Sequence, residues 1–473
     1  MTTIFGGISP TLSPKEHQAL REHQLELQCS ELCLHQAMSE APQIRGPGVI
    51  RQKADGELEL TLYVTDGLDP DMLWHRLAQR DELKPGLIIP SDQFYELTAF
   101  DIQGRQWTAT RIEPTFIGGT GCMCRARLAE IQSRYQSEKL LVRQPSISFV
   151  FAERVSLPFN QSTTITRTVG KNTSQHHALD VFNFSNDDYE FQLSHEEAQL
   201  IVKVTAKNGG FPVQFARRVV EALQFITARP LTWTLCTNWK NDTISTSIRG
   251  LRPTTTSSRL QPPLNFSDAT SEAVSDLFLC YLDHVCRDTT DHLHPISAQV
   301  RAICHASLGA VETEALVICT AIESLVPLMA QGTFQLSEDD ALWVKQAQAY
   351  FDNWGGSEEL TGRVKGLLAN LHQPSTAMRL RKLIDDHVIT RQSLQAWNRL
   401  RPRLAHGVTK RSGSLQDLLD DTQTVLTLFY RLVFFMIGYR GVYTDYTTRD
   451  WPLIQFEFPS DGSGTTGAPV SEE

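Results

Sequence analysis

Residues able to carry chemistry concentrate between Arg391 and Arg411, RQSLQAWNRLRPRLAHGVTKR. The stretch holds Arg391, Arg399, Arg401, Arg403, Lys410 and Arg411 and no acidic residue. At its centre RPRLAH sets four residues between Arg401 and His406, and Gly407 follows at once, where a helical turn would stop. A guanidinium grips a phosphate through two parallel hydrogen bonds at any physiological pH, and an imidazole exchanges a proton near neutrality. That pair is the minimum set for cleaving a phosphodiester without a metal. In RNA the 2′-hydroxyl already lies beside the phosphate it attacks. His406 would move its proton, a role worth about 10²–10⁴-fold in rate, and Arg401 would offset the charge that develops on the phosphate. The expected products are a 2′,3′-cyclic phosphate and a 5′-hydroxyl.

Spacing alone is a weak signal, because with 14 histidines in 473 residues chance supplies about one Arg-x4-His pair. A second pair, Arg287 and His292 in CRDTTDHLHP, falls where a helix runs out into Asp, Thr and Pro, and reads as a loop. Context separates the two. RPRLAHG ends one predicted helix, and a long apolar helix from Leu415 to about Ile437 follows it. An earlier apolar helix, VETEALVICTAIESLVPLMA, carries a single carboxylate, Glu323, in its second half.

A terminal all-helical region, an Arg-x4-His motif closing on Gly and a long apolar helix after it together resemble the HEPN domain, a small helical bundle of ribonuclease toxins and prokaryotic defence proteins. The resemblance spans about Asn265 to Arg440, and with a β-rich region in front the layout looks most like the ApeA-like anti-phage proteins. It implies an endoribonuclease of abortive infection acting on tRNA or mRNA, with no cofactor and no metal. It further implies a homodimer or higher homo-oligomer that brings two His406 side chains into one cleft, and a phage-derived trigger bound by the N-terminal region. Arg401 and His406 would be catalytic, with Glu323 orienting Arg401. Arg399, Arg403, Lys410 and Arg411 would support the site or contact RNA. The residue after the motif arginine is usually small and polar in the family. Here it is Pro402, which removes a helical hydrogen bond and kinks the chain.

The bulk composition is that of an ordinary globular protein, 41% hydrophobic and 21% charged. A net charge of −10 gives no global attraction for nucleic acid, so any RNA contact must come from a local basic patch such as Arg391–Arg411. No apolar run is long enough for a membrane span, and MTTIFGGISPTLSPKEH lacks the pattern of a secretory signal. Nine scattered cysteines fit a reducing, cytoplasmic setting.

The hydropathy pattern predicts an α+β chain: a β-rich N-terminal region, then a C-terminal all-α bundle. Residues 1–45 form an extension in which the capping box at Ser13 and Glu16 starts a helix running from Pro14 to about Met38. Residues 46–160 read as short strands, typified by Leu58, Leu60, Leu62 and Val64 on one face of ELELTLYVT. Residues 161–255 continue the sensor region as α+β, with a Ser/Thr/Asn-rich loop over 162–188 containing His176 and His177, and a helix near Phe211–Thr227. The linker LRPTTTSSRLQPPLN, Leu251–Asn265, opens the helical domain of 256–440. Residues 441–473 read as a tail, disordered after about 459.

Two other classes compete. A non-catalytic HEPN-type bundle binding nucleotide, RNA or protein would need no histidine in its basic patch. A metal-dependent hydrolase would draw on His284, His292, His294 and His305, yet the sequence offers no carboxylates at ligand spacing. Cys29, Cys33 and His35 lack a second ligand pair, and Cys122 and Cys124 are wrongly spaced for a zinc knuckle.

Overall fold

The computed structural model describes residues 11–36, 43–67, 88–117, 122–136, 144–169, 172–196, 199–240, 242–251, 260–329, 337–371, 375–405 and 414–457. The chain divides into two units. The first takes Met1–Pro212 and Leu231–Thr255, the second Val213–Pro230 and Thr256–Glu473. The α+β expectation is met: a large antiparallel sheet, then a run of helices.

The first unit is one 15-stranded sheet. In spatial order its strands are Gln161–Val169, Asn172–Ser185, Tyr189–Glu196, Gln199–Ala206, Ser146–Phe151, Trp233–Lys240, Thr243–Arg249, Glu130–Gln136, Gln106–Ile112, Tyr95–Asp101, Glu26–Gln36, Ile44–Gln52, Leu58–Tyr63, Met123–Leu128 and Thr115–Ile117. Period-2 alternation builds it: in Leu58–Tyr63 the residues Leu58, Leu60 and Leu62 are buried and the residues between them are not. They join Leu27, Leu32, Leu97, Trp107, Cys124 and Ile131 in one apolar core.

Two N-terminal expectations are corrected. The helix from the Ser13 capping box, α1, spans only Pro14–Arg21, and the residues that follow form the strand Glu26–Gln36. Its alternation is interrupted by a register shift between Cys29 and Leu32, which hides the period of 2 from a reader of the sequence. Likewise 162–188 is not a loop. Gln161–Val169 and Asn172–Ser185 pair as a hairpin, with Thr164 opposite His177, so backbone ladder bonds satisfy a stretch whose polarity suggested a coil.

The second unit holds nine of the named α-helices: α2 Phe215–Thr227, α3 Ser271–Cys286, α4 Pro295–Ala306, α5 Val311–Leu325, α6 Glu338–Asp352, α7 Glu358–Leu371, α8 Thr376–Asp385, α9 Arg391–Ala405 and α10 Leu415–Ile437. Helix α2 was expected within an α+β continuation of the sensor. It instead packs on α3 and α4, with Phe225 stacked on Tyr281 at 4.3 Å between centroids. Helix α10 starts at a Ser414–Asp417 capping box, buries Val425, Leu428, Phe429, Leu432 and Val433, and ends at Gly438, whose φ of 71° suits a residue without Cβ. The expected tail after 441 is also corrected up to Glu457: Val442–Thr444 and Leu453–Gln455 pair as a hairpin whose Tyr443 and Phe456 pack against Phe434. The segment after about 459 lies outside the described residues.

Candidate active site

Three mutually packed helices, α5, α9 and α10, hold the site. Along α9 the residues Ser393, Leu394, Ala396, Trp397 and Leu400 are buried, a 3.6-residue stripe that leaves Arg399 and Arg401 on the other side. Trp397 is 2% exposed, and its indole Nε1 donates to the Cys319 carbonyl of α5 at 3.4 Å. That bond fixes the rotation of α9 against α5. Burial drives the Cys319 thiol up to about 12, with the Glu323 charge adding to the shift and Arg401 opposing it, so this sulfur stays protonated.

One turn beyond Trp397, Arg401 meets Glu323. The Arg401 Nε donates to Glu323 Oε1, and the guanidinium lies 5.5 Å from the centre of the Trp397 ring. The side chains are 52% and 30% exposed, so the pair faces solvent although its two helices are packed. Glu323 occupies Nε alone. Among the described residues no other hydrogen bond or ion pair reaches Arg401, and none of them occupies the edge carrying Nη1 and Nη2, the one that matches two phosphate oxygens.

Arg399 is engaged elsewhere. Its Nε and Nη2 reach both oxygens of Asp421 on α10 at 3.1 and 2.5 Å, and this bond to the carboxylate raises the guanidinium pKa. Arg399 thus clamps α9 to α10, a role that nothing in the sequence assigns to Asp421 over its neighbours Asp417 and Asp420. Pro402 lies inside α9, which runs on to Ala405. Having no N–H, it cannot donate to the preceding turn, and the Arg399 and Arg401 ion pairs hold the turn just before it. Arg403 belongs to α9, but its side chain is outside the described residues, as are His406, Lys410 and Arg411.

The second Arg-x4-His pair has a different use. Arg287 pairs with Asp283 at 2.5 Å, and His292 is solvent-exposed. The loop containing them is organised by Arg218 of α2, which is fully buried and donates to the carbonyls of Asp288, Thr290 and His292 at 2.9, 3.0 and 3.1 Å. Arg218 also binds Glu221, which accepts from Ser297 Oγ at 2.7 Å. Burial raises the Glu221 pKa, while Ser297 and Arg218 lower it. Sequence reading missed this network because Arg218 and Glu221 look like an ordinary surface pair on α2.

The histidines considered as metal ligands do not converge. His284 and His294 meet edge to face at 5.3 Å, His292 and His305 are exposed, and no group of three metal-ligating side chains forms among the described residues. His294 Nδ1 instead caps α4, and burial next to His284 and Arg218 lowers its pKa to about 4. No helix among the described residues is long and apolar enough to cross a membrane. Comparisons with known protein families, with curated proteins and with solved structures return no match to this chain.

Proposed function

We propose that the chain is a HEPN-type, metal-independent endoribonuclease of anti-phage defence, acting in the cytoplasm by abortive infection. The observation that carries the reading is the Arg401–Glu323 pair. Glu323 fixes the guanidinium through Nε, while no described residue occupies its Nη1/Nη2 edge. A pair serving only to join α5 and α9 would gain from bidentate contact, as Arg399 and Asp421 show. The one-sided contact favours an arginine kept available for an anion.

Arg401 binds the scissile phosphate through its two Nη groups and offsets the charge of the pentavalent intermediate. His406, five residues on, takes the 2′-hydroxyl proton. The 5′-oxygen must be protonated as it leaves, and one imidazole does not readily serve both faces of the phosphate. A homodimer supplies the second His406. The β-rich unit would sense a phage-derived trigger and release the nuclease, and cleavage of tRNA or mRNA would halt translation in the infected cell.

The test is cleavage of a labelled tRNA and mRNA mixture in EDTA, with and without phage lysate, by the wild type and by Arg401→Ala and His406→Ala. Metal-independent cutting to 2′,3′-cyclic phosphate ends, lost in both variants, is the expected result. Cutting that survives both substitutions would show the wrong residues to have been chosen. A wild type that binds RNA but never cuts it would put the binding-module reading first.

A further inference from the structure

Helices α6 and α7 differ from the rest of the second unit. Helix α6 has no buried residue, and no α7 side chain that is described is buried either. Each is the other's main packing partner. The two are joined at NWGG, where the Trp354 ring folds over Gly356 and packs edge-on against Phe351 at 5.7 Å, and Lys365 pairs with Asp352 at 2.8 Å. Helices of about 15 residues are marginal in water without tertiary packing.

Large apolar side chains are exposed along both helices of the arm. Leu342 (53% exposed), Trp343 (68%) and Tyr350 (68%) share one stripe of α6, and Leu360 (48%) and Leu367 (67%), seven residues apart, share one stripe of α7. Arms of this kind bury such stripes against other helices, and two copies side by side make a four-helix bundle. Five side chains of these sizes present on the order of 600 Å² per arm, so two arms would bury about 1,200 Å², the lower end of a specific protein–protein interface.

We propose that this arm is a dimerisation surface, on which the partner is the same arm of a second copy of the chain. In sequence the arm lies between α5, which carries Glu323, and α9, which carries Arg401, so a contact here ties the pairing of copies to the helices that hold the site. This last link, and the supply of a second His406, rest on the ribonuclease reading; the interface itself does not.

The experiment is sedimentation velocity of the full chain over a wide concentration range, for the wild type, Trp343→Glu and Leu367→Glu, with circular dichroism to follow folding and RNA cleavage measured on the same samples. A dimeric wild type, weakened at least about thirtyfold in each variant, is the expected outcome. If a glutamate variant unfolds, Tyr350→Ser carries the same comparison, since it removes a mostly exposed ring. A wild type that is monomeric throughout, or variants that dimerise as tightly as it does, overturns the proposal. A dimer dissolved by the arm variants that never cuts RNA overturns the ribonuclease reading and leaves the interface standing. A monomer that cuts RNA does the reverse.

Discussion

Replacing Arg218 by Met perturbs the second unit most directly, because the side chain is fully buried and binds Glu221, the Asp288 carboxylate and three loop carbonyls. The substitution keeps an unbranched apolar stem but removes the counter-ion of Glu221, whose own side chain is 1% exposed, and the donors to three carbonyls of the Asp288–His292 loop. Breaking one side of a buried ion pair costs about 3–5 kcal/mol, because the remaining carboxylate is left without charge compensation. In a unit of this size that lowers the melting temperature by about 6–20 °C. The assay is thermal unfolding followed by circular dichroism. Glu221 already has a raised pKa in the folded protein, and losing Arg218 raises it further. The folded variant therefore binds a proton more readily than the unfolded chain does. Its deficit is largest at neutral pH and narrows as pH falls through the folded-state pKa. Adding Glu221→Gln removes the orphan charge and should recover part of the loss at pH 7. A melting point within about 2 °C of wild type, or a deficit independent of pH, would refute the account.

Three further outcomes follow from the geometry. Glu323→Gln should leave stability within about 1 kcal/mol of wild type, because the pair is exposed, yet reduce RNA cleavage on the order of 100-fold through misplacement of Arg401; unchanged cleavage would remove Glu323 from the site. Trp397→Ala opens a cavity between α5 and α9 and should cost about 3–5 kcal/mol in urea unfolding, and a near-neutral result would mean that this tryptophan does not fix the helix. His294 has a folded pKa of about 4 against an ordinary value of 6.5, so its contribution is fully present above 6.5 and is lost as pH falls toward 4. His294→Asn keeps an acceptor at the cap of α4 and should flatten that part of the stability–pH curve; an unaltered slope would assign the loss to another group.

The helices after the linker were legible because their burial repeats with the helical period and their caps are local. Ser414, Asp417 and Gly438 mark the ends of α10, and the Arg401–Glu323 pair could be anticipated because a lone carboxylate among apolar residues demands a partner. What stayed hidden is what depends on a distant partner. The amphipathic pattern of α2 says that it has a buried face but not against what, and only Tyr281 and the loop after α3 reveal the answer. The strand Glu26–Gln36 was misread because one irregularity between Cys29 and Leu32 breaks its alternation. The hairpin of Gln161–Val169 and Asn172–Ser185 was misread because pairing through the backbone does not require an apolar sequence.

Helix α2 has a consequence for dissecting the protein. It is encoded between two strands of the sheet, Gln199–Ala206 and Trp233–Lys240, but folds with the second unit. No single cut therefore yields two complete parts. A fragment ending in the Leu251–Asn265 linker would carry an orphan helix with Arg218 and Phe225 laid bare, and the complementary fragment would lack the side chain that organises its Asp288–His292 loop. Gene fusions or exchanges at that linker would inherit both defects, so the sheet and the bundle are expected to travel through evolution as one indivisible cassette.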